Sequence, residues 1–154
     1  MDICYMRIAV NTRLLLKGKM EGMGWFAFEV LKRMVEQHPE DQFLFLFDRP
    51  YDKQFVFGEN VETRVLFPPA RHPILWYIWF EISVKRALSK WKPDVFFSPD
   101  GYASLSTTVP QAMVTHDLAF IDYPQYIPKT VAAYYRFFCP KYVEKAQRVM
   151  FLSS

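Results

Sequence analysis

The chain has 154 residues, 51% of them hydrophobic, 18% aromatic and 23% charged, with a formal net charge of +3. That hydrophobic content excludes a disordered chain, and the length is enough to bury a sizeable core in one domain. The small net charge, without a dense Lys/Arg cluster or an aromatic–basic repeat, argues against nucleic-acid binding and leaves a mild bias toward anionic small molecules or an anionic membrane surface.

Arg7-Ile-Ala-Val-Asn11 opens the fold as an apolar strand. A loop from Thr12 to Gly22 follows, with Gly18, Gly22 and Gly24 gathered at its far end. Trp25, Phe28, Leu31 and Val35 then recur at three- and four-residue spacing, with Glu29, Lys32, Arg33 and Glu36 on the other face. This predicts an amphipathic helix, ended by His38-Pro39. Gln42-Phe-Leu-Phe-Leu-Phe47 is apolar without alternation, which predicts a strand covered on both faces. Thr63-Arg-Val-Leu-Phe67 is a third strand, stopped by Pro68-Pro69. A long helical stretch runs from about Pro73 to Trp91, with Glu81, Lys85, Arg86 and Lys90 marking its solvent side. Asp94-Val-Phe-Phe97 is the fourth strand and enters the turn Ser98-Pro-Asp-Gly101. The fifth, Gln111 to Thr115, stops on His116-Asp117 and is followed by an irregular aromatic segment through Pro124. A last helix, roughly Lys129 to Gln147, carries Tyr135, Phe138, Tyr142 and Val143 toward the sheet, with Pro140 expected to kink or split it. Arg148-Val-Met-Phe-Leu152 is the sixth strand.

Strands alternating with helices at this rhythm predict an α/β fold, a Rossmann-like parallel sheet with helices on both faces. Residues 1–154 read as a single such domain. The sequence closes at Ser154 directly after a strand, whose far face would be left uncovered, so the expectation is a piece of a larger protein. Cys4 and Cys139 lie far apart without partners at metal spacing, which argues for a reducing compartment rather than a disulfide scaffold. The segment Met1 to Met6 lacks a basic, apolar leader pattern. The most hydrophobic window, Pro73 to Val84, contains Glu81 and has only about half the length needed to span a bilayer. A soluble cytoplasmic protein is expected.

Open parallel sheets put ligands beyond the carboxyl ends of their strands, so the residues that follow each strand carry the functional reading. His116 stands at such an end and is the side chain best suited to proton exchange near neutral pH. It could equally cap the strand by bonding nearby backbone. Asp117 could orient His116 or bind a hydroxyl, or form a turn. Gly22 and Gly24 would let backbone N–H groups approach a phosphate at a helix start, or simply shape the loop. Asp100 and Gly101 form a turn after the fourth strand. The run Leu75-Trp-Tyr-Ile-Trp-Phe80 is a buried helix face or a contact for lipid or a hydrophobic acceptor. No His, Cys or carboxylate spacing points to a metal site, and no nucleophile elbow points to a hydrolase.

In order along the chain, Met6-Arg-Ile-Ala-Val-Asn-Thr-Arg13, Glu21-Gly-Met-Gly-Trp-Phe26, Ser98-Pro-Asp-Gly101, Val114-Thr-His-Asp-Leu-Ala-Phe120 with Tyr123-Pro124, and the stretch from Tyr134 through Ser154 resemble the N-terminal half of the retaining family 4 glycosyltransferases of the GT-B fold. The resemblance covers essentially the whole chain. It implies an acceptor-side domain facing a second domain that holds most of a nucleotide-sugar. By that likeness His116 and Asp117 are the catalytic candidates, His116 hydrogen-bonding the donor sugar at the cleft with Asp117 beside it. Gly22 and Gly24 lie against the diphosphate or the acceptor, and Asp100, Gly101 and Asp117 line the acceptor side. The acceptor is a glycan or a lipid-linked glycan, with peripheral contact at the inner face of the membrane. The resemblance implies neither metal nor cofactor. The family's paired glutamates and diphosphate-binding Arg/Lys belong to the second domain, so residues 1–154 alone are expected to bind donor weakly and transfer nothing. The contrasting expectation is a non-catalytic Rossmann-like module that binds a protein partner through its aromatic face.

Overall fold

The computed structural model describes residues 4–116 and 118–152. β1 (Arg7–Asn11) pairs in parallel with β2 (Gln42–Phe47) on one edge and with β4 (Val95–Ser98) on the other. β3 (Val61–Val65) extends the sheet beyond β2, and β5 (Gln111–Thr115) and β6 (Arg148–Phe151) extend it beyond β4. The order β3-β2-β1-β4-β5-β6, all parallel, is a Rossmann-like arrangement, as expected. β3 starts two residues earlier than its sequence suggests, because Phe43 of β2 pairs with Val61.

Side chains alternate across each strand, so the central strands β1, β2, β4 and β5 each feed two cores. Leu44 and Leu46 join Ala9, Phe96 and Met113 in one core, while Phe43, Phe45 and Phe47 join Ile8, Val10 and Val114 in the other. The continuous apolar run of β2 is therefore a strand covered on both faces.

Helix α1 (Gly22–Gln37) lies over the second core and buries Gly24, Ala27, Leu31 and Val35. Trp25, expected in that stripe, is 53% exposed. The stripe starts on small residues because the first turn packs tightly on the β1–α1 loop. A Cβ on Gly24 would stand 2.9 Å from the carbonyl oxygen of Leu14.

On the opposite face, α2 (Pro73–Ile78), a π-helical segment (Trp79–Val84) and α3 (Lys85–Trp91) run on from one another as the long helix expected. The wider π turn lets the consecutive Trp79 and Phe80 both reach the core, with Val84 five positions after Trp79. Lys85 and Arg86 face solvent, but Glu81 does not simply mark the solvent side. Its carboxylate accepts from the backbone N–H groups of Leu105 (2.7 Å) and Ser106 (2.9 Å), tying the β4–β5 loop to the helix.

Between β5 and the last helix, the segment expected to be irregular contains a short helix, α4 (Ala119–Asp122), and a 3-10 turn at Pro124–Tyr126. Helix α5 (Lys129–Lys145) runs unbroken through Pro140, so the expected split does not occur. Pro140 is on the exposed side, and Phe138 stacks against Tyr134 (4.4 Å) and Tyr142 (5.8 Å) on the inner side. Tyr134 and Tyr142 are buried, whereas Val143, expected inward, is 42% exposed. One residue further turns the helix by about 100°, which carries Val143 off the inner stripe. No helix among the described residues is long and apolar enough to cross a membrane.

Candidate functional site

In this strand order the connections reverse direction between β1 and β4, and a crevice opens at their carboxyl ends. Both strands end in polar residues there. Asn11, the last residue of β1, donates from Nδ2 to Ser98 Oγ (3.0 Å) and Asp100 Oδ1 (2.9 Å). Ser98 Oγ donates to the same Asp100 oxygen at 2.9 Å, and the Tyr102 N–H approaches it at 3.3 Å. Arg13 Nε donates to Asp100 Oδ2 at 2.8 Å. Asp100 is 7% and Arg13 8% exposed, so this is a buried ion pair set in a hydrogen-bonded cage. An isolated buried charge would be prohibitively costly; here each partner satisfies the other.

The guanidinium of Arg13 also lies 4.1 Å from the centroid of Tyr102 and 5.5 Å from that of Phe80, which stacks on Tyr102. Burial disfavours the charge on Arg13, but the Asp100 carboxylate and Tyr102 outweigh it, so its pKa is raised and the side chain stays cationic. A second arginine–carboxylate pair lies at the end of β2. Arg49 grips Asp48 with two bonds, Nε to Oδ1 at 2.8 Å and Nη2 to Oδ2 at 2.7 Å. Donation to the Asp48 carboxylate raises the pKa of Arg49, while burial and the like charge of Arg13 oppose it. Asp48 Oδ2 further accepts from the Ala70 N–H at 2.9 Å, which holds the loop bearing Arg71.

Arg13, Asp48, Arg49, Arg71, Asp100 and Tyr102 line one cleft of about 510 Å³ together with Gly101 and His116, while Asn11 and Ser98 support Asp100 from behind it. His116 Nε2 lies 2.6 Å from the carbonyl oxygen of Pro99. A carbonyl only accepts, so Nε2 carries the proton, and in the neutral ring Nδ1 is left as the acceptor. The edge-to-face contact with Phe26 of α1, at 5.0 Å, holds the other side of the ring. The strand-capping role weighed for His116 is therefore real, and it coexists with a place in the cleft wall. Gly101 has φ of +81°, a conformation that favours glycine, and it turns the chain back over the end of β5.

The structure thus brings Asp100, Gly101 and His116 together. Gly22 and Gly24 do not line the cleft; Met23 between them does. Asp117 lies outside the described residues. The His38, Glu40 and Asp41 group could offer metal ligands, but none of the three lines the cleft. Sequence reasoning passed over Asn11, Arg13, Asp48, Arg49 and Arg71 as site residues. Asn11 to Arg13 carried a usable signal, since polar residues directly after an apolar strand are the same cue that singled out His116.

The chemistry available is binding rather than proton abstraction by Asp100, whose two oxygens are already engaged by four donors. The carboxylate orients Arg13, and His116 offers Nδ1. Compared with known proteins, the chain matches no family model and no curated protein.

Proposed function

We propose that this chain is the acceptor-side domain of a glycosyltransferase that moves a sugar from a nucleotide-sugar to a glycan or lipid-linked acceptor with retention, a second domain holding most of the nucleotide. The observation that carries the reading is the cleft at the carboxyl ends of β1, β4 and β5. The Arg13–Asp100 cage and His116 converge there. Three of the segments that resemble family 4 glycosyltransferases, those containing Asn11 to Arg13, Ser98 to Gly101 and His116, meet in this cleft. A parallel sheet of this order supports nucleotide and sugar ligands at its switch point, although the same architecture also serves other chemistries.

The test uses the complete protein incubated with UDP-, GDP- and ADP-sugars, with nucleotide release as the readout. Release from at least one donor, increased by acceptor, is expected. His116→Ala should then lower kcat/KM on the order of 10²-fold, the scale of losing one positioned polar group. It should cost only about 1 kcal/mol of stability, since one backbone hydrogen bond is lost. Absence of release from every donor overturns the reading.

A second reading, a non-catalytic module that binds a protein partner, is favoured by one observation. Phe67, Ile74 and Tyr77 stand 83%, 69% and 48% exposed around the aromatic helix. Light scattering after size exclusion discriminates: a tight dimer that seals the cleft supports this reading over the first.

A further inference from the structure

We propose that the cleft takes a phosphate-bearing amphiphile, its phosphate received by Arg13, Arg49 and Arg71 and its hydrocarbon part laid along Leu14, Leu16 and Met23.

The charged half begins with Arg13. Its Nε is occupied by Asp100, which fixes the plane of the guanidinium, and apart from the Tyr102 side chain lying against it no side chain among the described residues engages Nη1 or Nη2. Neither nitrogen is sealed from the cleft without a partner; among the described residues the only such buried side-chain atoms are Ser104 Oγ and Thr115 Oγ1. A guanidinium held by one edge with its other donors free suits a bidentate oxyanion. Arg49 is oriented in the same manner, with Nε and Nη2 on Asp48 and Nη1 uncommitted. Arg71 has no ion-pair partner among the described residues, and its loop is pinned through the Ala70 N–H. Arg13 and Arg49 repel one another, which a shared anion would relieve.

Among the described residues the lining carries three arginines against two aspartates, and both aspartates already serve as arginine acceptors. The three arginines enter from different segments, after β1, after β2 and before α2. Donors from three directions suit the three terminal oxygens of a phosphate better than the flat pair of a carboxylate.

The second half is the wall opposite in character. Leu14, Leu16, Met23, Leu118 and Ile127 line the same cleft, with Met23 40% and Leu118 45% exposed. Sugar hydroxyls gain nothing from such a surface, whereas an alkyl chain is stabilised by leaving water.

This inference rests on the cleft being the acceptor site of the proposed function and names the class of acceptor. Calorimetric titration of the protein with monooctyl phosphate, octyl glucoside and inorganic phosphate, all below micelle-forming concentrations, tests it. Octyl phosphate is expected to bind at least about tenfold tighter than either of the others, corresponding to one charge-assisted contact or a few buried methylenes. Arg71→Gln, a change at an exposed side chain, should weaken octyl phosphate about tenfold and leave octyl glucoside unchanged. Arg13→Lys, which retains charge but loses the fork, should also weaken it. The proposal is overturned if octyl glucoside binds as tightly as octyl phosphate or if inorganic phosphate does. It is likewise overturned if Arg71→Gln leaves octyl phosphate binding unchanged. Nucleotide release by the complete protein without octyl phosphate binding sinks this inference and leaves the transferase reading intact; the reverse result does the opposite.

Discussion

Asp100 accepts from Asn11, Ser98, Arg13 and the Tyr102 N–H at once, and that crowding determines how its loss would be felt. Asp100→Asn preserves shape but leaves Arg13 as a buried cation without a counter-charge and turns one acceptor into a donor facing donors. The expected cost is about 3 kcal/mol, measured as the shift in urea denaturation; a loss below about 1 kcal/mol would show that the cage is not stabilising as described. His116 and Asp100 were legible because each follows an apolar strand within two residues, and strand ends in open sheets carry ligands. Arg49 was not, since Asp48-Arg-Pro50 has the composition of an ordinary turn. Its relevance arises only when β2 comes to lie beside β1, which no local pattern announces.

Among the elements, α1 shows two glycines doing different things. Gly24 meets the Leu14 carbonyl oxygen at 2.9 Å and Met20 Cβ at 3.3 Å from where its own Cβ would be, whereas Gly22 has open space. Gly24→Val should therefore cost about 1–3 kcal/mol by overpacking. Gly22→Ala should be neutral or stabilising by up to about 1 kcal/mol through the unfolded chain. Paired thermal denaturation curves check this, and equal effects at the two positions would contradict it. The helix itself was legible from Leu31 and Val35, but the spacing also points Trp25 inward, because hydrophobicity alone does not distinguish a buried side chain from an exposed one. The π segment left no trace in the sequence either: Trp79 and Phe80 are both apolar, so an extra residue in the turn changes no pattern. The unbroken run of α5 through Pro140 reflects side chains distant in sequence, with Tyr134 and Phe138 held against Trp76 and Tyr77.

For the molecule as a whole, the aromatic layer over one face of the sheet sets its response to alkali. Burial raises the pKa of Tyr102, Tyr134, Tyr135 and Tyr142, and it raises the Cys139 thiol from 9.0 to about 11. The unfolded chain gives up these protons first, so stability is fully present below the ordinary thiol and phenol range and falls as pH climbs above about 9. The urea midpoint should decline steadily between pH of about 9 and about 11, and a flat midpoint would show that these groups titrate alike in both states. The alternating α/β architecture was legible at this scale because its period and its double-sided strands are local features. The order of the strands was not, and it has a bearing on how the protein is made. β1 meets β4 through pairs such as Ile8 with Val95, so one edge of β1, the earliest of these six strands in the chain, waits for a partner some 87 residues behind it. At roughly 5–20 residues per second that wait lasts on the order of 5–20 s. During it, β1 and β2 can form a paired edge on the nascent chain while the buried middle of the sheet stays open to the cell's chaperones.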